Sequence, residues 1–390
     1  MSASRFGVGL STLDDPRKAA REAAGAARAT LGDATATLVL VFATADLALR
    51  GEEILPVVHD ILAPEALLGA MGEAVIAAGR EIEQGPALAV WAAHLPGAAI
   101  TPFRLSARVE DGSVVVEGRP GPPAQAPAGP LLVLADPFTF PADALLGEVN
   151  ASESGAWVVG GLASGAREPG GHRLFFQDEV LREGAIGAVL DGFPVWPVVS
   201  QGCVPIGPEM VITAGGGQVV EELAGMAALD KLRAVIDELE PDEREMAARG
   251  LLVGLVINEN QPEYRRGDFL VRGIQGGDRD TGALVVGERV RVGQTVRFHV
   301  RDAASADADL RLALREARSA FADARPAAGL IFSCNGRGTH MFPQPHHDAH
   351  AVEEELQVIP TAGIFCNGEI GPVGGKSFLH GFTATMALFS

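Results

Sequence analysis

The chain has 390 residues, 47% of them apolar but only 5% aromatic, so its core is expected to consist mainly of Ala, Val, Leu and Ile. Its 31 basic and 50 acidic side chains give a net charge of −19, which argues against a nucleic-acid partner and against an anionic membrane surface. No apolar run reaches the roughly 18 residues of a membrane span, and three cysteines with no secretory-type leader predict a cytoplasmic protein in a reducing compartment.

Residues 15–32 are Ala-rich with charges at helical spacing, which predicts a helix stopped by Gly32. The run T-L-V-L-V-F-A-T (37–44) then reads as a buried strand, and residues 52–62 as a helix with Pro56 near its first turn. This order recurs. The strand-like run 131–138 precedes a helix after Pro141, and the strand-like run 327–335 precedes a helix around 348–356. After each pair comes a glycine-rich segment leading into a further apolar run, at 67–76, 158–165 and 361–372. We read these as copies of one β-α-turn-β unit, two in the N-terminal half and one in the C-terminal half. A fourth strand-like run lies at 251–258.

Hairpin signals lie between the copies. Residues 211–220 are two β-branched runs joined at a glycine turn, and 283–300 alternate around Gly287 and Gly293. Residues 119–130 read as a Pro-rich connector, and 226–249 are helical in composition. The expected fold class is mixed α/β: two layered α/β sandwich domains with mixed sheets. The expected division is an N-terminal extension over 1–29, one domain over 30–222 and a second over 223–390.

Four groups of residues could carry chemistry. The stretch G-G-K-S (374–377) ends like a phosphate loop, but the required upstream glycine is Ile370 and Pro372 removes a cradling N–H, so a nucleotide site is not expected. His346 and His350 would share a helix face and are weak candidates for a metal, although the upstream P-Q-P predicts a loop. Cys334, in S-C-N-G-R-G at a strand end, is a candidate nucleophile or merely a small packed side chain. Arg337 could grip a carboxylate bidentately and Glu369 an ammonium, a combination suited to a zwitterion; an ordinary ion pair accounts for them equally well.

These segments together resemble the FIST family, the paired FIST-N and FIST-C domains of bacterial sensory proteins and of a eukaryotic F-box protein. The resemblance rests on G-R-E-I-E-Q-G-P-A-L-A-V-W (79–91), V-V-G-G-L-A-S (158–164) and V-S-Q-G-C-V-P-I-G (199–207). The C-terminal part adds F-S-C-N-G-R-G-T-H-M-F (332–342), A-G-I-F-C-N-G-E-I-G-P (362–372) and F-L-H-G-F-T-A-T (378–385). It implies a small-ligand-binding sensory module for signal transduction, with amino acids as the ligand class and haem in some members. It also implies a site drawn from the glycine turns: Cys334, Asn335, Gly336, Arg337 and Gly338, with Cys366, Asn367, Gly368, Glu369 and His380. The matching N-terminal elements are Gly160, Gly161 and Ser164, then Ser200, Gln201 and Cys203, and the turns are expected to converge in a cleft between the two halves.

No cofactor is required by this reading. In the haem variant His340, His347 or His380 would be the axial ligand. Two further alternatives are a Cys-dependent hydrolase or transferase built on Cys334, and a protein-interaction scaffold. The sequence read as a stand-alone module leaves output to a downstream signalling protein in trans, and a homo-oligomer is compatible with it.

Overall fold

Glycine in the first strand and alanine in the first helix fit one another. In the computed structural model, which describes residues 3–120, 129–152, 155–264, 267–321 and 325–390, strand Arg5–Ser11 lies directly under helix Pro16–Leu31. Asp15 caps the helix by accepting from Lys18 N at 2.9 Å, and Pro16 occupies its first turn. Ala19, Ala20, Ala23, Ala24 and Ala27 are wholly buried against the strand. A Cβ on Gly9 would stand 2.0 Å from the Ala23 carbonyl oxygen, and one on Gly7 2.2 Å from that of Ala27. The low aromatic content of the chain is thus a packing solution: small residues let backbone approach backbone. The Pro-rich connector expected at 119–130 falls mostly on residues outside those described.

The chain forms two compact units, residues Met1–Val199 with Leu310–Ser390, and Ser200–Asp309. The first unit holds three mixed sheets of one design, and the recurring unit read from the sequence is their basis. Each sheet has a parallel pair at its centre: Leu38–Ala43 with Ala66–Met71, Leu131–Ala135 with Val158–Leu162, and Ala328–Cys334 with Thr361–Cys366. The crossovers carry helices Gly51–Leu62, Ala142–Ala151 and His347–Leu356. Strands buried on both faces require unbroken apolar runs, which is why these were conspicuous in the sequence. Pro56 lies inside its helix rather than in the first turn, because the helix starts at Gly51, just after the short helix Ala45–Ala48.

An antiparallel return strand flanks the first member of each pair: Leu88–His94, Ala185–Asp191 and Thr383–Phe389. The second member is flanked by a short hairpin supplied by another copy. The hairpin after the first pair, Val75–Ala77 with Arg80–Ile82, joins the third sheet. That after the second pair, Leu174–Phe176 with Glu179–Leu181, joins the first sheet. That after the third pair, Glu369–Val373 with Lys376–His380, joins the second. The exchange is cyclic. G-G-K-S is part of this last hairpin: Gly374 and Gly375, with φ of 57° and 79°, form its two-residue turn. The central core between the sheets includes Phe6, Phe42, Trp91, Phe332 and Phe389, and Trp91 Nε1 donates to Pro360 O at 3.1 Å.

The second unit is antiparallel. The extended segment Cys203–Leu223 pairs early in its length with Thr295–Arg301 and later with Leu284–Val290. Strands Leu251–Val256 and Phe269–Gly277 close the ring. The segment turns back at its glycines as the 211–220 pattern predicts, with Ala224 N donating to Val211 O at 2.9 Å. The hairpin expected over 283–300 is corrected: both strands form, yet each pairs with the long segment instead of the other. Gly287 sits within a strand, and only Gly293 turns.

The contact between the first strand and the first helix gives a prediction. Gly9→Val forces a side chain against the Ala23 carbonyl and is expected to destabilise by about 1–3 kcal/mol, the usual cost of overpacking. A urea titration checks it, the midpoint falling while the m-value stays unchanged.

Candidate functional site

In open α/β sheets, ligands bind beyond the carboxyl ends of parallel strands. Here all six such ends, two from each copy, face one cavity of 570 Å³ within the first unit. The first copy lines it with Thr44, Asp46, Gly72 and Glu73, the second with Phe138, Gly165, Ala166 and Arg167, and the third with Asn335 and Asn367. Both halves of the sequence therefore contribute to it. Phe138 is 44% exposed, so the wall offers an apolar face as well as two carboxylates, a guanidinium and two amides.

Hydrogen bonds across the copies fix the floor. Ser164, wholly buried, receives Glu73 N at 2.7 Å on its hydroxyl, which itself donates to Phe365 O at 2.5 Å. Its own N–H donates to Met71 O at 3.2 Å. Leu162 N donates to Gly368 O at 2.8 Å, and Asn367 N to Leu162 O at 3.1 Å. The loop carrying Ala166 and Arg167 is held by a buried pair. His172 Nδ1 lies 2.7 Å from Asp136 Oδ1, Thr139 Oγ1 donates to Asp136 Oδ2 at 2.6 Å, and Ala166 N donates to His172 Nε2 at 3.3 Å. Nε2 is thus the acceptor, so Nδ1 carries the proton and donates to Asp136. Phe138 stacks on the His172 ring at 5.5 Å.

Beneath the cavity lies a buried ionic cluster. Arg337 is fully buried, and its Nε and Nη2 each donate to Asp348 at 2.8 Å. Asp348 also receives Ser333 Oγ at 2.7 Å and has His347 Nδ1 at 2.9 Å. Burial alone would raise Asp348, but the Arg337 charge and these hydrogen bonds outweigh it and hold the carboxyl well below the usual range. The fork of Arg337 is therefore occupied by Asp348 rather than open to a ligand carboxylate. Glu81, on the hairpin donated by the first copy, caps the third copy's helix by accepting from Ala349 N at 2.9 Å. Burial, with the Asp348 charge next, pushes Glu81 up to about 8. Burial likewise holds Glu369 well above the ordinary carboxylate range, against Thr383 N–H, the Arg337 charge and a hydrogen bond from Cys334.

Of the residues selected from the sequence, Asn335 and Asn367 line the cavity. Gly160, Gly161, Ser164, Cys366, Gly368 and Glu369 are in or beside the strand ends beneath it, joined by the register of Gly160 with Ile370 and Gly161 with Glu369. Cys334, Gly336 and Gly338 flank Arg337 in the turn after the strand, and His380 Nε2 bonds Gly371 O at 2.9 Å. Ser200, Gln201 and Cys203 belong to the second unit, where Ser200 Oγ donates to Asp309 Oδ2 at 2.9 Å and Gln201 Nε2 to Phe269 O at 2.8 Å. His346 Nδ1 accepts from Glu81 N at 3.0 Å, and its ring meets that of His350 at 5.7 Å. Among the described residues no group of three His, Cys, Asp or Glu side chains is placed to hold a metal. The cavity lining has no His, Cys, Met or Tyr, the side chains that ligate haem iron, so it does not suit haem. His347 stacks on Phe342 at 3.4 Å instead. Apart from Gly85, the lining residues the sequence did not reveal share one signal: each follows a parallel strand of the first or second copy within a few positions.

The cavity lies where ligands bind in open α/β sheets. The FIST N domain matches residues 37–226 and the FIST C domain residues 228–372, and the chain belongs to the FIST family. FIST domains are associated with small-ligand sensing and signal transduction. The chain is 43% identical over 387 residues to an uncharacterized protein of Mycobacterium tuberculosis, covering 99% of each. It is 42% identical over 386 residues to one of Mycobacterium bovis, covering 99% of this chain and 98% of that one. It is also 27% identical over 174 residues to an F-box/LRR-repeat protein of Arabidopsis thaliana, covering 43% of this chain and 32% of that protein. No helix among the described residues is long and apolar enough to cross a membrane.

Glu81 yields a pH prediction. The folded protein keeps its proton to about pH 8, whereas the unfolded chain releases it near 4.5. Folding therefore takes up a proton between these values, and the contribution is complete below the lower one and lost as pH rises through the upper. One such group changes stability by up to about 1.4 kcal/mol per pH unit in that window. Glu81→Gln keeps the acceptor for Ala349 N and is expected to flatten the pH dependence between pH 5 and 8, as read from urea midpoints.

Proposed function

We propose that the protein is a sensory module whose cavity takes a small zwitterion, an amino acid or a close relative. The observation that carries this reading is a single cavity holding both charge signs at the six strand ends. Asp46 and Glu73 provide carboxylates for an ammonium, Arg167 a guanidinium for a carboxylate, and the amides of Asn335 and Asn367 serve either. Phe138 offers an apolar surface for a side chain. A guanidinium at the cavity wall takes the role that the sequence assigned to Arg337, and the carboxylates at the wall take that of Glu369. In this reading the loop held by His172 is the element that responds to occupancy, because Ala166 and Arg167 sit on it, and output passes to a signalling protein in trans.

A thermal-shift screen of the full chain against the amino acids tests this. A true ligand at 100 times its dissociation constant stabilises by about 2.7 kcal/mol. Arg167→Ala and Ala166→Trp, the second filling the cavity, are expected to abolish the shift while leaving the unliganded melting temperature near that of the parent. A screen in which no amino acid raises the melting temperature, or a shift that survives both substitutions, rejects the reading.

A further inference from the structure

The two thiols beneath the cavity are placed to react with each other. We propose that Cys334 and Cys366 form an oxidisable dithiol, in which a small hydroperoxide removes two electrons and leaves a disulfide between neighbouring strands. They are register partners on the parallel pair Ala328–Cys334 and Thr361–Cys366. Neighbouring strands run about 4.8 Å apart, inside the roughly 4.4–6.8 Å between Cα atoms that a disulfide bridges. Phe332 and Ile364, two residues earlier on each strand, both face the central core together with Cys366, so alternation puts Cys334 on that same face. Each thiol lies within electrostatic reach of the other.

Their surroundings divide the roles. Cys334 is partly exposed and precedes Asn335, which lines the cavity, so a small oxidant arriving through the cavity meets it first. Cys366 is fully buried, its Sγ over Gly161, where a Cβ would come within 2.4 Å. Glu369 hydrogen-bonds the Cys334 side chain, and Arg337 adds a positive charge beside it. Arg337 Nη1 and Glu369 Oε1 are buried with no hydrogen-bond partner among the described residues. A carboxyl able to relay a proton and a cation beside one thiol favour its oxidation, since the sulfur attacks as its proton leaves.

The chemistry balances. Glu369, held protonated by burial, takes the Cys334 proton on one carboxyl oxygen as it releases its own from the other, and the Cys334 sulfur attacks the terminal peroxide oxygen. The O–O bond breaks, and the departing alkoxide or hydroxide recovers the proton from Glu369 as alcohol or water. Cys334 is now a sulfenic acid, oxidised by two electrons, and the peroxide is reduced by two. The Cys366 sulfur then attacks that of Cys334; an S–S bond forms, the S–O bond breaks, and water leaves with the Cys366 proton. This step needs the two thiols and the peroxide alone, whatever else fills the cavity.

The test treats the reduced full chain with one equivalent of hydrogen peroxide, alkylates it with iodoacetamide, and reads intact mass and a non-reducing digest. The expected product has lost two hydrogens, links the Cys334 and Cys366 peptides, and carries alkyl label on Cys203. Cys366→Ser should stop at a sulfenic acid on Cys334 that dimedone traps. Glu369→Gln, which cannot relay the proton, should slow oxidation about a hundredfold, the usual loss for a general acid–base group. The wild-type digest decides even if a variant fails to fold. Oxidation of Cys334 no faster in the folded chain than in urea, linkage through Cys203, or no linkage overturns the proposal.

Discussion

One serine hydroxyl and one backbone N–H hold the architecture to its centre. Ser164 belongs to the second copy, yet it receives Glu73 N and reaches Met71 O in the first copy and Phe365 O in the third. Wholly buried polar groups must be paired, so each of these bonds constrains where the three strand ends can stand. Once they stand there, each sheet's second parallel strand has a free edge facing the next copy's hairpin, and the cyclic exchange follows. The cavity is the space left where the six chain ends diverge.

The ionic cluster serves the same end. Glu81 crosses from one copy to cap a helix in another, and Asp348 at that helix start anchors Arg337, which in turn fixes the glycine turn after Ala328–Cys334. A site built on strand ends locked in this way is preorganised, and its supporting shell is charged because only multiple hydrogen bonds compensate so many buried polar atoms. The pair Asp136–His172 does for the second copy's loop what Asp348–Arg337 does for the third copy's turn.

Much of the fold was legible because strands buried on both faces spell apolar runs, unbroken in Leu38–Ala43 and Leu131–Ala135 and interrupted by Ser333 in Ala328–Cys334. The exchange of hairpins was not, since Arg80–Ile82 carries no mark of which sheet it will join. The antiparallel strands at 284–290 and 295–301 were visible by alternation, but their partner lay some eighty residues upstream in Cys203–Leu223. The glycine turns stood out through their composition, and they do mark the site's foundation. Their side chains, though, mostly face inward, and the lining falls to residues such as Thr44, Asp46 and Phe138, which look like ordinary loop positions until three copies bring them together. Asp348 was hidden among histidines in the stretch His346–His350, where the eye goes to metal chemistry instead of to an ion pair eleven residues from Arg337.

The cyclic exchange sets a timetable for synthesis. The hairpin Val75–Ala77 with Arg80–Ile82 pairs with Thr361–Cys366, which the ribosome makes roughly 280 residues later, a wait of about 15–60 s at ordinary elongation rates. For roughly the first hundred residues of that interval the first sheet also lacks the edge that Leu174–Phe176 will cover, and the whole second unit is made before the third copy begins. The nascent chain therefore carries unpaired strand edges of its own for most of its birth, and its yield in a cell depends on whatever shields them until the last eighty or so residues emerge.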